Sequence, residues 1–174
     1  MTKAKKFGFA LLVFSFMMIA GCSSQPVFMP YDGKSLNIAV LGTAPEIKED
    51  QIDFHEISFN DFDAVELRQY DAVFIMKEKL SEAAESRYAP VYSEAQVPFF
   101  FMESNTDEYP FIDPELDYED AREIPYHDYY ATSFLETPDG EQRTSRYALY
   151  NDEVTEQHVK VLYSHIFTII EAGM

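Results

Sequence analysis

A chain of 174 residues is long enough to bury one core, and 13 basic against 31 acidic side chains give it a formal charge of −18, a balance that repels phosphate backbones and argues against nucleic acid as a partner. The single cysteine, Cys22, excludes a disulfide framework and a cysteine-rich metal site. With 15 Phe, 12 Tyr and no Trp, the core and any binding face must be built largely from phenyl and phenol rings.

At the N-terminus, Lys3, Lys5 and Lys6 precede an apolar run from Phe7 to Ala20. The run is too short for a comfortable membrane span and has the length of a signal-peptide core. Ile19-Ala20-Gly21-Cys22 follows at once. This tetrapeptide resembles the lipobox of bacterial lipoproteins. The resemblance implies that residues 1–21 are a signal peptide, that cleavage falls before Cys22, and that Cys22 carries lipid. It also implies an extracytoplasmic protein anchored to a bacterial membrane through that lipid. Two acyl chains suffice for stable anchoring. The remaining chain would hold 10 basic and 31 acidic side chains, a charge of −21. A lipidated Cys22 leaves no thiol for nucleophilic catalysis. Residues 22–34 contain Pro26, Pro30 and Gly33 and read as a tether, with residues 35–174 as a single domain.

Within that domain, Leu36 to Leu41 reads as a first strand and ends in Gly42-Thr43-Ala44-Pro45. Neither a GxGxxG fingerprint nor a P-loop is present. Glu46 to Gln51 allows a turn or two of helix, and Phe54 to Phe59 a second strand. Asn60 or Asp61 is positioned to cap a short helix over Phe62, Val65, Leu67 and Tyr70. From Tyr70 to Ser104 the pattern is strand, helix, strand. Its apolar runs, 73–76 and 97–102, are continuous, which suits strands covered on both faces. Between them Leu80, Ala83, Ala84, Tyr88, Val91, Tyr92 and Ala95 recur at helical spacing, with Ser81 as the cap. Pro90 falls inside this helix and should kink it at a cost of about 3 kcal/mol.

Residues 103–123 hold nine acids and one base and read as a long connection. Ala131 to Glu136 and Thr144 to Tyr150 flank Thr137-Pro138-Asp139-Gly140, a hairpin signature. A last helix, capped by Asn151 or Asp152, runs to about Ala172 and stops at Gly173. Its apolar stripe is Val159, Leu162, Tyr163, Ile166, Ile169 and Ile170. The expected class is α/β: a three-layer sandwich with a mainly parallel sheet, a β-hairpin extension and a C-terminal packing helix. The pattern resembles flavodoxin-like and glutamine-amidotransferase-like folds in architecture, a likeness that transfers no activity.

Two candidate sites follow. Ligands of open α/β sheets sit beyond the strand carboxyl ends, which here offer Thr43, Lys77, Glu78, Lys79, Glu103 and Ser104. Ser104 lacks the Gly-x-Ser-x-Gly context, and nothing ties His127, His158 or His165 to it. His158 and His165 are seven apart and do not converge on an ion. His55-Glu56 begins like HExxH but meets Phe59 where the second histidine belongs. The second candidate is a cation or partner surface of Asp113, Glu115, Asp117, Tyr118, Tyr126 and Tyr129. Acids at spacing two resemble a calcium loop, but Tyr118 and Ile124 stand where an EF-hand needs glycine and glutamate. Rings beside carboxylates suit amines, basic peptides or sugars; equally, the rings can simply pin the loop.

The sequence therefore favours a non-enzymatic binding or accessory module. It has no assignable catalytic residue, metal or cofactor. Its partners are the membrane, through lipid on Cys22, and an unknown envelope protein or cationic ligand. The alternative is a hydrolase-like enzyme at the strand carboxyl ends.

Overall fold

The computed structural model describes residues 28–104, 106–121 and 129–174. Its centre is a six-stranded mixed sheet in the order β2-β1-β3-β4-β5-β6. The strands are β1 (Leu36–Leu41), β2 (Ile52–Ile57), β3 (Ala72–Ile75), β4 (Phe99–Met102), β5 (Tyr129–Glu136) and β6 (Gln142–Ala148). The first four run parallel, and β5 and β6 form an antiparallel hairpin against β4. Every residue of β3 and β4 is buried, as their continuous apolar runs require. Alternate side chains leave to opposite faces. Val73, Ile75, Phe99 and Phe101 enter one core, whereas Ala72, Phe74, Phe100 and Met102 enter the other.

The first core is covered by four short helices, α1 (Ala64–Leu67), α2 (Leu80–Ala83), α3 (Ala89–Glu94) and α4 (Tyr109–Ile112). Tyr92 sits at its middle, fully buried, with its hydroxyl donating to the Ala83 carbonyl at 2.7 Å. The second core lies under α5 (Glu156–Ala172), which buries Leu162, Tyr163, Ile166, Phe167 and Ile170. Tyr31 to Lys34 run alongside α5 as part of this body. The Tyr31 N–H donates to Glu49 at 2.7 Å, and the Lys34 N–H to Glu171 at 3.1 Å. No helix among the described residues is long and apolar enough to cross a membrane.

The α/β class, the parallel strands, the hairpin and the C-terminal helix follow the sequence pattern. Several local expectations are corrected. The single helix expected over residues 80–95 is α2, a 3₁₀ turn at Ser86–Tyr88 and α3. Pro90 stands in the first turn of α3, where its missing N–H and fixed φ cost nothing, so it starts a helix and kinks none. Ser81 does not cap; its hydroxyl donates to Glu119 at 2.6 Å. Asp63 caps α1, while Asp61 accepts from Ser58. Thr155 caps α5 by accepting the His158 N–H, and Asn151 and Asp152 adopt left-handed backbone before it. Residues 44–49 form no helix, and β2 starts at Ile52.

Candidate functional site

The strand carboxyl ends meet where the connections diverge: β1 leads outward to β2, and β3 leads the other way to β4. Gly42 ends β1 with φ +121°, and a Cβ there would lie 2.7 Å from Glu78 Oε1 and 2.8 Å from Met76 Cβ. Glycine thus lets the loop after β3 close over the end of β1. The Thr43 N–H donates to Glu78 Oε1 at 2.9 Å. That hydrogen bond holds the Glu78 carboxyl below its usual range.

The six candidate crevice residues do not converge. Thr43 and Glu78 are tied to each other. Lys77 Nζ lies 3.6 Å from Glu103 Oε2. Lys79 pairs with Glu82 at 3.6 Å and sits 5.8 Å above the Phe59 ring. Ser104 is completely buried, with Oγ 3.2 Å from Thr106 Oγ1. The described histidines bond elsewhere. His55 faces Asp53 and Tyr70, His158 Nδ1 lies 2.9 Å from the Glu153 carbonyl, and His165 meets the Tyr147 ring.

The acidic-aromatic candidates divide as well. Asp113 and Glu115 form an exposed turn, the Glu115 N–H donating to Asp113 Oδ1 at 3.0 Å. Tyr129 lies beneath Arg146, whose Nε is 2.5 Å from Asp107 Oδ1. Tyr126, like Cys22, lies outside the described residues. Asp117 and Tyr118 turn the other way. They line a groove of about 500 Å³ with Glu78, Glu82, Glu85 and Glu119. The Ser81–Glu119 hydrogen bond spans it and joins the α2 segment to the acidic loop. Tyr118 is half-buried against Phe111 at 5.8 Å, and burial pushes its hydroxyl pKa up. A member of each candidate site, Glu78 and Asp117, therefore lines one groove. Among the described residues, no three His, Cys, Asp or Glu side chains are grouped to hold a metal ion.

A second cavity, of about 390 Å³, has no counterpart in the sequence reading apart from Glu103. It opens beyond β1, β3 and β4 and is walled by the loop after β1, by Tyr130 and by the first turns of α5. Burial, and then the Glu103 charge, raise the Tyr130 hydroxyl to about 12. The overlooked signal was Tyr163, which shares the apolar stripe of α5 but carries a polar tip. Searches against family models, curated proteins and solved structures found no match to this chain.

Proposed function

We propose that this chain is a lipid-anchored extracytoplasmic binding module, its short helices, sheet and α5 stacked as three layers, whose acidic groove takes the lysine-rich segment of an envelope protein. The observation that supports this reading is the groove where residues 78–85 and 117–119 bring carboxylates of two chain segments together beside Tyr118. Those carboxylates are strung along the groove and do not converge on one point. Spaced charges suit an extended polycation better than a single ion, and Tyr118 adds a ring face for an ammonium. The domain's strong negative charge would speed encounter with such a segment. A hydrolase-like role has less support, because buried Ser104 presents no exposed nucleophile.

Titration of the full-length chain in detergent with an oligolysine peptide tests the groove. Binding should weaken steeply with added salt. Replacing both Glu82→Gln and Asp117→Asn should weaken it by about tenfold or more. Affinity indifferent to the double substitution would sink the assignment. The anchor is tested separately. Cells fed a palmitate analogue should label the wild-type chain and fail to label Cys22→Ser.

A further inference from the structure

The cavity at the strand carboxyl ends lies where the parallel strand order reverses, the place where open α/β sheets receive ligands. Tyr163 lines it while only 2% exposed. Its ring is fixed by Phe74 and Phe167, with centroids 6.0 and 6.1 Å away. Its hydroxyl has no hydrogen-bond partner among the described residues, whereas the hydroxyl of similarly buried Tyr92 does. Tyr130 and Glu103 line the same cavity, and burial foremost, then these two neighbours, push the Tyr163 hydroxyl pKa up. The ring is buried while the hydroxyl stays open to the cavity, since it is not among the sealed, unpartnered polar atoms, so a phenol with no partner among the described residues is left to meet a ligand atom there.

The rest of the lining narrows that ligand. Ile47, Met76 and Val159 give an apolar floor, and Glu46 and Glu103 give negative charge. The cation at the rim, Lys160, is held by Glu156 at 2.6 Å. Among the described residues, the Glu103 carboxylate has only the loose 3.6 Å pairing with exposed Lys77. We propose that this cavity binds a small organic amine, its ammonium held by the Glu103 carboxylate and the Tyr163 hydroxyl oxygen, its apolar body resting on Ile47, Met76 and Val159. A phenol oxygen accepts from an ammonium as readily as it donates, and a carboxylate supplies the charge-assisted partner. The site is separate from the acidic groove.

Calorimetric titration of the full-length chain in detergent with phenethylamine tests the proposal, with 2-phenylethanol and phenylacetate as neutral and anionic counterparts. Phenethylamine should bind, and both counterparts should bind at least about tenfold more weakly. Tyr163→Phe keeps the packed ring and removes only the hydroxyl; it and Glu103→Gln should each weaken the amine by about tenfold. Glu82→Gln, in the acidic groove, should leave it unchanged. Equal affinity for the alcohol, indifference to both cavity substitutions, or no heat at millimolar amine would each overturn the assignment. Oligolysine binding at the groove would survive any of these results, so the two readings fail separately.

Discussion

Glu49 shows how single buried charges are used in this protein. It is 8% exposed, and its carboxylate accepts the Tyr31 N–H and the Ser164 hydroxyl. One side chain thereby fastens the entering strand of chain to α5. Glu49→Ala would remove a charged acceptor from two donors, and should cost about 2–3 kcal/mol in denaturant unfolding. Glu49→Gln, which keeps one acceptor oxygen, should cost less; a loss of under about 0.5 kcal/mol for the alanine variant would refute this role. Glu108 is buried too, with the opposite result. Burial raises its carboxyl above the ordinary value of 4.5, so the folded state holds this proton more tightly than the unfolded chain. The resulting stability is complete below the unfolded pKa and is lost as pH rises through the folded one. Glu108→Gln should therefore raise the melting temperature at about pH 7 and change it little at about pH 3.5. Glu78 runs the opposite way. Its carboxyl is lowered by the Thr43 N–H, so its contribution is present above 4.5 and lost as pH falls through the folded value.

At the scale of elements, α5 carries one core and Phe167 is its centre. That ring contacts Tyr31, Phe54, Phe74 and Tyr163 at centroid distances of 5.9 to 6.4 Å. Phe167→Ala should cost about 3–5 kcal/mol, read as a shift in denaturant midpoint. Pro90→Ala should change stability by less than about 1 kcal/mol, since Pro90 opens α3; a gain of about 3 kcal/mol would mean that the proline does interrupt a helix. These two residues also show what the sequence could reveal. Continuous apolar runs marked β3 and β4 because burial on both faces leaves no alternation to misread. Thr137-Pro138-Asp139-Gly140 marked the hairpin because its turn closes locally, with Gly140 at φ +81° and its N–H bonded to the Thr137 carbonyl. The stripe between Leu80 and Ala95 fits a continuous helix equally well, and the local signal for the break is Pro90, which suits the first turn of a new helix better than the interior of an old one. Likewise, Glu78 and Asp117 share a groove because two distant segments fold onto the same face, which neither local pattern contains. The amine cavity needed the N-terminal turns of α5 to land on the strand ends, a long-range event with no local signature.

For the whole molecule, the course of the chain sets an orientation. The parallel strands point their carboxyl ends, the first turn of α5 and the amine cavity toward one end, with the 137–141 hairpin at the other. Phe28 lines a surface hollow with Thr155, His158 and Lys160, so the described chain enters at the cavity end. If Cys22 carries lipid as proposed, the intervening stretch of about six residues reaches roughly 20 Å at most. The 17 residues of α5 span about 25 Å, more than that reach, so the hairpin should stand farther from the bilayer than the cavity does. In such an anchored chain the acidic surface should keep the body from lying flat on anionic lipid, and the cavity end should then face the membrane. Lipidated Cys22 would leave an introduced cysteine as the one free thiol. A fluorophore on Val154→Cys should then be quenched by a lipid-borne quencher in anionic vesicles, and one on Asp139→Cys should be quenched much less. Quenching of equal depth at both positions would mean that the domain lies on its side, and stronger quenching at the hairpin would invert the orientation. Raising salt separates geometry from charge: screening weakens the repulsion and should increase quenching at both positions while preserving their order. An order that reversed with salt would show that electrostatics, not the length of the anchor, decides which end meets the lipid.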